Sequence, residues 1–171
     1  LATYFEKGKE LIALAKKTKV ILQVGHIERF NPALTPLKDL ILKPKYIEVQ
    51  RLAPYMIRGT DIPVVLDLMI HDIDLVLSFI NSPVKKIDAS GLSIMTNSVD
   101  IANARIHFEN GSVANITSSR VAKDKGRKIK IFPRNLYITI DFFIVLCSTM
   151  WYYISCCAGQ PVQKDYDVYS V

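Results

Sequence analysis

Residues 64–80 form an apolar segment into which four ionisable side chains are set, namely Asp67, His71, Asp72 and Asp74. As a helix, the segment places Asp67, His71 and Asp74 at spacings i, i+4 and i+7, which lie on one face. Apolar side chains fill most of the remaining surface, and a helix of this kind is normally buried. The pattern therefore predicts a buried helix that carries a polar stripe.

The order of Asp67 and His71 within this stripe has a chemical meaning. A carboxylate one turn before an imidazole suits proton transfer near neutral pH, because the aspartate fixes the tautomer of the histidine and raises its basicity. The structural alternative is that Asp67 caps the start of the helix and that His71 is a core histidine satisfied by it. The spacing leaves both interpretations open, and Asp74 is expected to be structural in either.

The chain before this helix has the pattern of half a βαβ unit. Residues 6–19 predict an amphipathic helix, and residues 20–25 form an apolar, β-branched run that is typical of a buried parallel strand. In open α/β sheets ligands bind at the carboxyl ends of such strands, where His26, Arg29 and Asn31 follow. These three residues are candidates for a polar contact, although Arg29 could instead pair with a local acid and Asn31 could simply turn the chain.

Alternating side chains predict further strands on both sides of the central helix. The predicted elements are strands at residues 46–51, 84–93, 100–108 and 112–119, and a second helix at residues 32–42. The Asn-Gly pair at positions 110 and 111 predicts a type I′ hairpin. The basic stretch at residues 120–134 alternates at residues 128–131, which indicates a strand with lysines on its solvated face. A polar loop at residues 54–63 brings Arg58 close to the central helix.

Composition limits the classes of function. A length of 171 residues suits one domain, or one domain with a piece of another. The net charge of +6 permits an anionic ligand, but the basic stretch contains a single aromatic side chain, Phe132, and no series of them to stack bases, so nucleic acid is not expected. Cys147, Cys156 and Cys157 have neither the pattern of a disulfide framework nor the spacing of a metal site. We therefore expect no metal and a reducing, cytoplasmic location.

Residues 142–159 carry no charge and fit the preceding pattern poorly. By length this run just qualifies as a membrane span, but its polar residues and the lack of nearby basic anchors argue against insertion. A shifted reading frame would produce the same break in pattern. The chain also starts at Leu1 without an initiator methionine or a signal-peptide layout, so it is expected to begin inside a longer protein.

Two motifs taken together resemble one enzyme family. They are Val-Gly-His-Ile-Glu-Arg-Phe-Asn-Pro at residues 24–32 and Leu-Asp-Leu-Met-Ile-His-Asp-Ile-Asp at residues 66–74. With the later strands they are similar to the NAD(P)-dependent oxidoreductases of the glucose-fructose oxidoreductase, inositol dehydrogenase and MocA type, over roughly residues 1–142. The resemblance implies an α+β fold with an open, mostly antiparallel sheet and helices on one face. It also implies that the last helix and strand of a Rossmann domain precede this sheet.

The resemblance further implies a division of the chain and a set of site residues. Residues 1–30 would be a remnant of the dinucleotide-binding domain, residues 31–141 the substrate-binding and catalytic domain, and residues 142–171 an atypical apolar tail. The implied site residues are Asp67 and His71 for catalysis, His26, Arg29 and Asn31 beside the nicotinamide of NAD or NADP, and Arg51, Arg58 and Arg120 on an anionic diphosphate. The implied substrate is a sugar or a nucleotide sugar similar to UDP-N-acetylglucosamine, and the outer face of the sheet would form a homo-oligomer.

The sequence departs from the family pattern in two places. It contains no Gly-x-Gly-x-x-Gly turn for the pyrophosphate of the cofactor and no Glu-Lys-Pro segment with the catalytic lysine of the family. We therefore expect the chain to be a fragment without dehydrogenase activity of its own. The alternative function is a non-catalytic α/β module that dimerises through its sheet and is tethered to a membrane by the apolar tail.

Overall fold

The chain folds around one eight-stranded sheet. The computed structural model describes residues 4–37, 40, 42–57, 62–143, 145–154 and 161–170. The strands are β1 Tyr46–Leu52, β2 Val84–Leu92, β3 Ile101–Phe108, β4 Val113–Ser119, β5 Gly126–Phe132, β6 Leu136–Asp141, β7 Leu146–Ile154 and β8 Pro161–Ser170. They lie in the order β2-β3-β4-β1-β5-β6-β7-β8, and every neighbouring pair is antiparallel except β1 with β4. The predicted open, mostly antiparallel sheet is confirmed.

One face of the sheet is apolar because apolar and polar side chains alternate along the strands. In β5, Ile129 and Ile131 are fully buried, whereas Lys128 and Lys130 point to the other face. The Nζ atom of Lys128 lies 3.1 Å from a carboxylate oxygen of Asp141 on that outer face. The prediction of a strand whose lysines are solvated is therefore confirmed.

Helical segments cover the inner face. The helical elements are α1 Phe5–Thr18, the 3₁₀ helices Ile27–Phe30 and Pro32–Leu37, the π-helical turn Val65–Met69 and α2 Ile70–Phe79. The π-helical turn and α2 pack on β4, and the second 3₁₀ helix packs on β6 and β7. In α2 the side chains of Leu75 and Val76 are buried against the sheet. By contrast, α1 buries none of its residues, so it lies outside this core.

Two elements before the sheet differ from the prediction. Residues 20–25 form no strand, and the side chain of Ile21 is 94% exposed. A parallel strand needs neighbours for its backbone hydrogen bonds, and no described strand lies beside this run. Within the predicted helix at residues 32–42, the described residues form the 3₁₀ helix Pro32–Leu37, in which Pro36 lacks a backbone N–H, whereas residues 38, 39 and 41 lie outside the described part of the chain.

The hairpin between β3 and β4 is confirmed, but its predicted turn type is wrong. A type I′ turn needs positive φ at both central residues, whereas only Gly111 in this loop has a positive φ, of 82°. Two backbone hydrogen bonds close the loop. The N–H of Gly111 donates to the carbonyl of Phe108 at 3.1 Å, and the N–H of Phe108 donates to the carbonyl of Ser112 at 2.9 Å. Asn110 supports this longer loop, because its side-chain oxygen accepts the N–H of Ser112 at 2.9 Å.

The end of the chain continues the sheet. β7 pairs with β6, and β8 pairs with β7, so both strands belong to the same eight-stranded sheet. Cys147 on β7 is buried and is a free thiol, whereas Cys156 and Cys157 lie outside the described residues. In the part of the chain that the structure describes, no helix is long and apolar enough to cross a membrane.

Candidate active site

Asp67 lies in the π-helical turn that opens the central helical segment. The N–H of Ile70 donates to the carbonyl of Val65, five residues earlier, which is the hydrogen bond that defines this turn. A π-helical turn holds more residues per turn than an α-helix, so it changes the direction of the side chains that follow. The side chain of Asp67 is consequently exposed, and no capping hydrogen bond from it supports the start of α2.

His71 follows in the first turn of α2 and is half-buried. Its Nδ1 atom is buried and has no hydrogen-bond partner among the described residues. The predicted support of His71 by Asp67 is therefore not made at Nδ1, because the π-helical turn alters the i, i+4 geometry on which that prediction depended. The simple alternative, a core histidine satisfied by Asp67, is not observed either. In the structure the buried Nδ1 of His71 is unpaired, and Asp67 is exposed.

A cavity of about 410 Å³ lies next to Asp67. Its lining residues are Ala53, Pro54, Met56, Ile62, Asp67, Leu68 and Arg120. The cavity lies where the parallel strands β1 and β4 end. Residues that follow these two strands form one wall, and the π-helical turn forms another. Arg58, which the resemblance placed near the substrate, lies outside the described residues.

Arg120 helps to build the wall of this cavity. Its guanidinium donates to Asp100 Oδ1 at 2.9 Å, to the carbonyl of Ile62 at 2.6 Å and to that of Val99 at 3.0 Å. A further hydrogen bond goes to the hydroxyl of Ser98. Arg120 is itself buried, so these contacts fix the segments around the cavity.

Asp100 is the buried anion that receives Arg120. Its Oδ2 accepts the backbone N–H groups of Ile94, Met95 and Thr96 at 2.8, 2.7 and 2.9 Å, and the hydroxyl of Thr96 donates to Oδ1 at 2.7 Å. Burial raises the pKa of Asp100, but these hydrogen bonds outweigh it and hold the pKa well below its ordinary value. Asp100 therefore stays ionised and orders the loop between β2 and β3.

Arg51 is also held by a buried acid. Its Nε and one terminal nitrogen donate to the two oxygens of Asp72, each at 2.7 Å, and Asp72 is fully buried. Glu28 lies 4.0 Å from the same guanidinium. This bidentate pair joins β1 to α2, and the side chain of Arg51 is only 11% exposed.

Two of the three candidate cofactor residues, His26 and Arg29, approach α2. Arg29 donates two hydrogen bonds to Asp74, at 2.7 and 2.6 Å, and Nδ1 of His26 lies 3.7 Å from the same carboxylate. The side-chain oxygen of Asn31 accepts the N–H of Ala33 at 3.0 Å. The hydrogen bond from Arg29 lowers the pKa of Asp74. Arg29 thus has an acidic partner, but Asp74 is 45 residues away in sequence and is not the local acid of the structural alternative, whereas Asn31 supports a turn.

The structure brings the candidate residues together in two groups. Asp67 and Arg120 line one cavity, whereas His26 and Arg29 meet Asp74 on the helix that carries His71. Sequence reasoning missed the acids that hold the arginines, which are Glu28, Asp72, Asp74 and Asp100. The signal was present, since carboxylates in an apolar helix or strand need cationic partners to be buried. No group of three metal-ligating side chains occurs among the described residues.

Three comparisons place the chain among known proteins. The family model named GFO/IDH/MocA C-terminal domain matches residues 55–135. The UDP-N-acetylglucosamine 3-dehydrogenase of Acidithiobacillus ferrooxidans is 38% identical over 138 residues, which are 80% of this chain and 44% of that protein. A solved structure of that enzyme superimposes with a TM-score of 0.80 at 32% identity, over 95% of this chain and 52% of the other.

A more distant likeness concerns the fold alone. Levoglucosan dehydrogenase in complex with NADH and L-sorbose superimposes with a TM-score of 0.72 at 15% identity, over 96% of this chain and 51% of that one. The chain therefore spans about half the length of the proteins that it matches. Its matched domain, its identity to the Acidithiobacillus enzyme and its sheet agree with one another, and the chain belongs to the GFO/IDH/MocA family.

Proposed function

We propose that this chain is the substrate-binding and proton-transferring part of an NAD(P)-dependent dehydrogenase that oxidises a hydroxyl of a sugar or nucleotide sugar. The observation that carries the proposal is the start of the central helical segment, where Asp67 borders a cavity and His71 follows with an unpaired buried nitrogen. Identity of 38% to a UDP-N-acetylglucosamine 3-dehydrogenase supports this class of substrate. Because the chain covers 44% of that relative, the activity belongs to a longer enzyme.

In this proposal His71 accepts the proton of the substrate hydroxyl. Nδ1 of the imidazole is buried and unpaired, so the nitrogen that would receive the proton in this proposal is Nε2. Asp67, at the cavity wall, would accept a hydrogen bond from the substrate and stabilise the positive charge that develops on His71. The nicotinamide cofactor, when bound, supplies the acceptor for the hydride that leaves the carbon bearing this hydroxyl.

The residues of this chain fit one end of such a cofactor. Residues 22–27, 29 and 30 line a cavity of about 510 Å³, and they include His26, Arg29 and the apolar side chains of Val24 and Ile27. These side chains fit the flat nicotinamide ring, whereas the sequence has no glycine-rich turn for the pyrophosphate. The cofactor is therefore proposed as NAD or NADP, because the acidic or basic residue that selects between them follows a Rossmann strand that this sequence lacks.

A nucleotide sugar would also need cationic side chains to bind its diphosphate. Arg51 and Arg120 are both engaged by buried acids, so we do not assign them to the diphosphate. Arg58, which lies outside the described residues, keeps that proposed role, since Met56 and Ile62 on either side of it in the sequence line the cavity next to Asp67. The proposed location is the cytoplasm, where a reducing environment suits the free thiol of Cys147.

The outer face of the sheet is proposed to form a homo-oligomer. Tyr46, Phe132 and Tyr137 form a partly exposed aromatic cluster on that face, with ring centroids 5.6 and 5.0 Å apart. Aromatic side chains of this kind are enriched at the centres of protein interfaces. We expect this chain to sediment as a dimer or larger species, and sedimentation equilibrium measures this directly. A monomer at every concentration tested would contradict the proposal.

The function is tested in a chimera, since the chain lacks a pyrophosphate-binding turn. In the chimera, this chain replaces the matching region of the Acidithiobacillus enzyme and is joined to the N-terminal part of that enzyme. We expect the chimera to reduce NAD or NADP with UDP-N-acetylglucosamine as substrate, and Asp67→Asn to lower kcat/KM by about 10²-fold or more. Reduced nicotinamide is followed by its absorbance, and Asp88→Asn on the solvated edge strand β2 is the matched control.

Each outcome of this experiment has a defined meaning. Turnover of UDP-N-acetylglucosamine that is lost in Asp67→Asn and kept in Asp88→Asn supports the proposed substrate class and site. Turnover of simple sugars alone would retain the dehydrogenase and reject the nucleotide. A chimera that folds, as judged by circular dichroism, but turns over neither substrate would favour the non-catalytic dimerisation module.

A further inference from the structure

We propose that Arg29 and Asp74 are positioning residues. Their ion pair holds residues 26–31, the segment proposed to contact the cofactor, against α2 and thereby sets the position of this segment relative to His71. The inference rests on the proposed function, because it assigns a role to this pair within the same site. It concerns a contact between two parts of the chain that the sequence separates by 45 residues.

Residues 26–31 have little apolar burial to hold them in place. The side chains of Ile27 and Phe30 are 71% and 78% exposed, although they are the large apolar groups of this segment. The hydrophobic effect scales with the apolar area removed from water, so it contributes little to the attachment. No backbone hydrogen bond within a described strand fixes the segment either. Its polar side chains must therefore supply most of the attachment.

The pair between Arg29 and Asp74 has the geometry of a strong contact. Both oxygens of Asp74 accept hydrogen bonds from the guanidinium, at 2.6 and 2.7 Å, and the carboxylate is 9% exposed. A bidentate pair of this kind fixes orientation as well as distance. A buried carboxylate is stable only when it is paired, so the helix requires the cation that this segment brings. The attachment is therefore mutual.

Glu28 provides a second point of attachment. One of its oxygens lies 2.6 Å from a terminal nitrogen of Arg127 on β5, and the other lies 4.0 Å from Arg51 on β1. Arg51 in turn is paired with Asp72 on α2. Residues 26–31 are thus connected by charge to the sheet through Glu28 and to α2 through Arg29, two adjacent residues of the first 3₁₀ helix.

The location of Asp74 makes the pair relevant to the site rather than to stability alone. Asp74 is three residues after His71, so the two lie on the same face of α2. His26 approaches the same carboxylate from residues 26–31, with Nδ1 at 3.7 Å. The hydrogen bond from Arg29 lowers the pKa of Asp74, and the charges of His26 and His71 add to this effect. One carboxylate is therefore shared by both parts of the proposed site.

Hydrogen exchange of this chain tests the proposal. The reporters are the backbone N–H groups of Arg29 and Asn31, which donate to the carbonyls of His26 and Glu28 at 3.2 Å each. In Arg29→Ala we expect these amides to exchange about tenfold faster, while the amides of β3 and β4 keep their protection. Lys128→Ala removes a solvent-exposed ion pair on the sheet and is the matched control, with no change expected in the reporters.

Two further measurements separate positioning from a general loss of stability. The exchanged pair Arg29→Asp with Asp74→Arg should restore the protection of residues 26–31, because it keeps the ion pair with its polarity reversed. In Arg29→Ala the pKa of Asp74, followed by NMR titration of its carboxyl carbon, should rise towards its ordinary value. A purely structural arginine that acted elsewhere would produce neither the rescue nor this rise.

The proposal has clear failing outcomes. Unchanged exchange of the reporters in Arg29→Ala would overturn it, and so would an equal increase over the whole chain. Failure of the charge exchange to restore protection would also count against it. None of these measurements needs turnover, so a chimera without activity would reject the proposed function while leaving the positioning role intact.

Discussion

His71→Ala is expected to lower kcat and kcat/KM of the chimeric dehydrogenase together, by about 10²–10⁴-fold, because a positioned general base contributes about this much to a proton transfer. The physical reason is that the imidazole is the proposed acceptor of the hydroxyl proton, and alanine leaves no group there to take it. Initial rates over a range of substrate concentrations measure both constants. An equal loss in both constants is the signature of an interaction made in the transition state.

The control for this prediction is His107→Ala. His107 lies on the outer face of β3, 3.5 Å from Asp88, and is partly exposed. Its replacement should leave both constants within about twofold of the parent, as expected for a surface change away from the site. Full activity in His71→Ala would remove His71 from the chemistry. Similar losses in both variants would attribute the effect to folding.

The second large effect is expected from Arg120→Met, which should destabilise the chain by about 3–5 kcal/mol. Methionine leaves the carboxylate of Asp100 buried without its cation, and it also deprives the carbonyls of Ile62 and Val99 of a donor. For a chain of this size the midpoint of thermal unfolding should fall by about 10 °C. Differential scanning calorimetry or circular dichroism measures the shift.

Arg105→Met is the matched control for Arg120→Met. Arg105 lies on the same hairpin but is exposed, and its contact is a hydrogen bond to Asn115 at 3.3 Å. Its replacement should change the free energy of unfolding by no more than about 0.5 kcal/mol. Equal shifts in the two variants would show that the buried pair has no special role.

The dependence of stability on pH supplies an independent check on Asp100. Its pKa in the folded chain is lowered, so its contribution is present above the ordinary aspartate pKa of about 3.9 and is lost as the pH falls towards the folded value. Asp100→Asn should therefore weaken the acid sensitivity of unfolding as well as the stability at neutral pH. A variant as acid-sensitive as the parent would contradict this assignment.

Much of the sheet could be predicted from alternation. The strand expected at residues 46–51 is β1 Tyr46–Leu52, because a half-buried strand imposes a period of two on its side chains. β7 was harder to predict, since the uncharged run at residues 142–159 shows little alternation and a short apolar run does not distinguish strand from helix. The run at residues 20–25 shows the converse error. Its residues have strand-forming side chains, but a strand also needs a partner.

For the candidate site, the sequence supplies candidate residues but not their geometry. Spacing selects Asp67 and His71 as candidates, whereas the π-helical turn Val65–Met69 leaves no trace in an i, i+4 pattern. The same limit applies to the arginines. Arg51 lies one residue before the end of β1, and Arg120 directly follows β4, so both are near strand ends where ligands are expected. Only the three-dimensional arrangement shows that Asp72 and Asp100 already pair with them.

The position of β1 has a consequence for synthesis on the ribosome. β1 lies between β4 and β5, so both of its hydrogen-bonded neighbours follow it in the chain, the second ending at Phe132. While the nascent chain is shorter than this, Ile47 and Val49 cannot be buried in the sheet, whereas the β3–β4 hairpin needs only local contacts. A translating ribosome therefore exposes an apolar strand for the time that about 80 further residues require, which is when a chaperone would act on it.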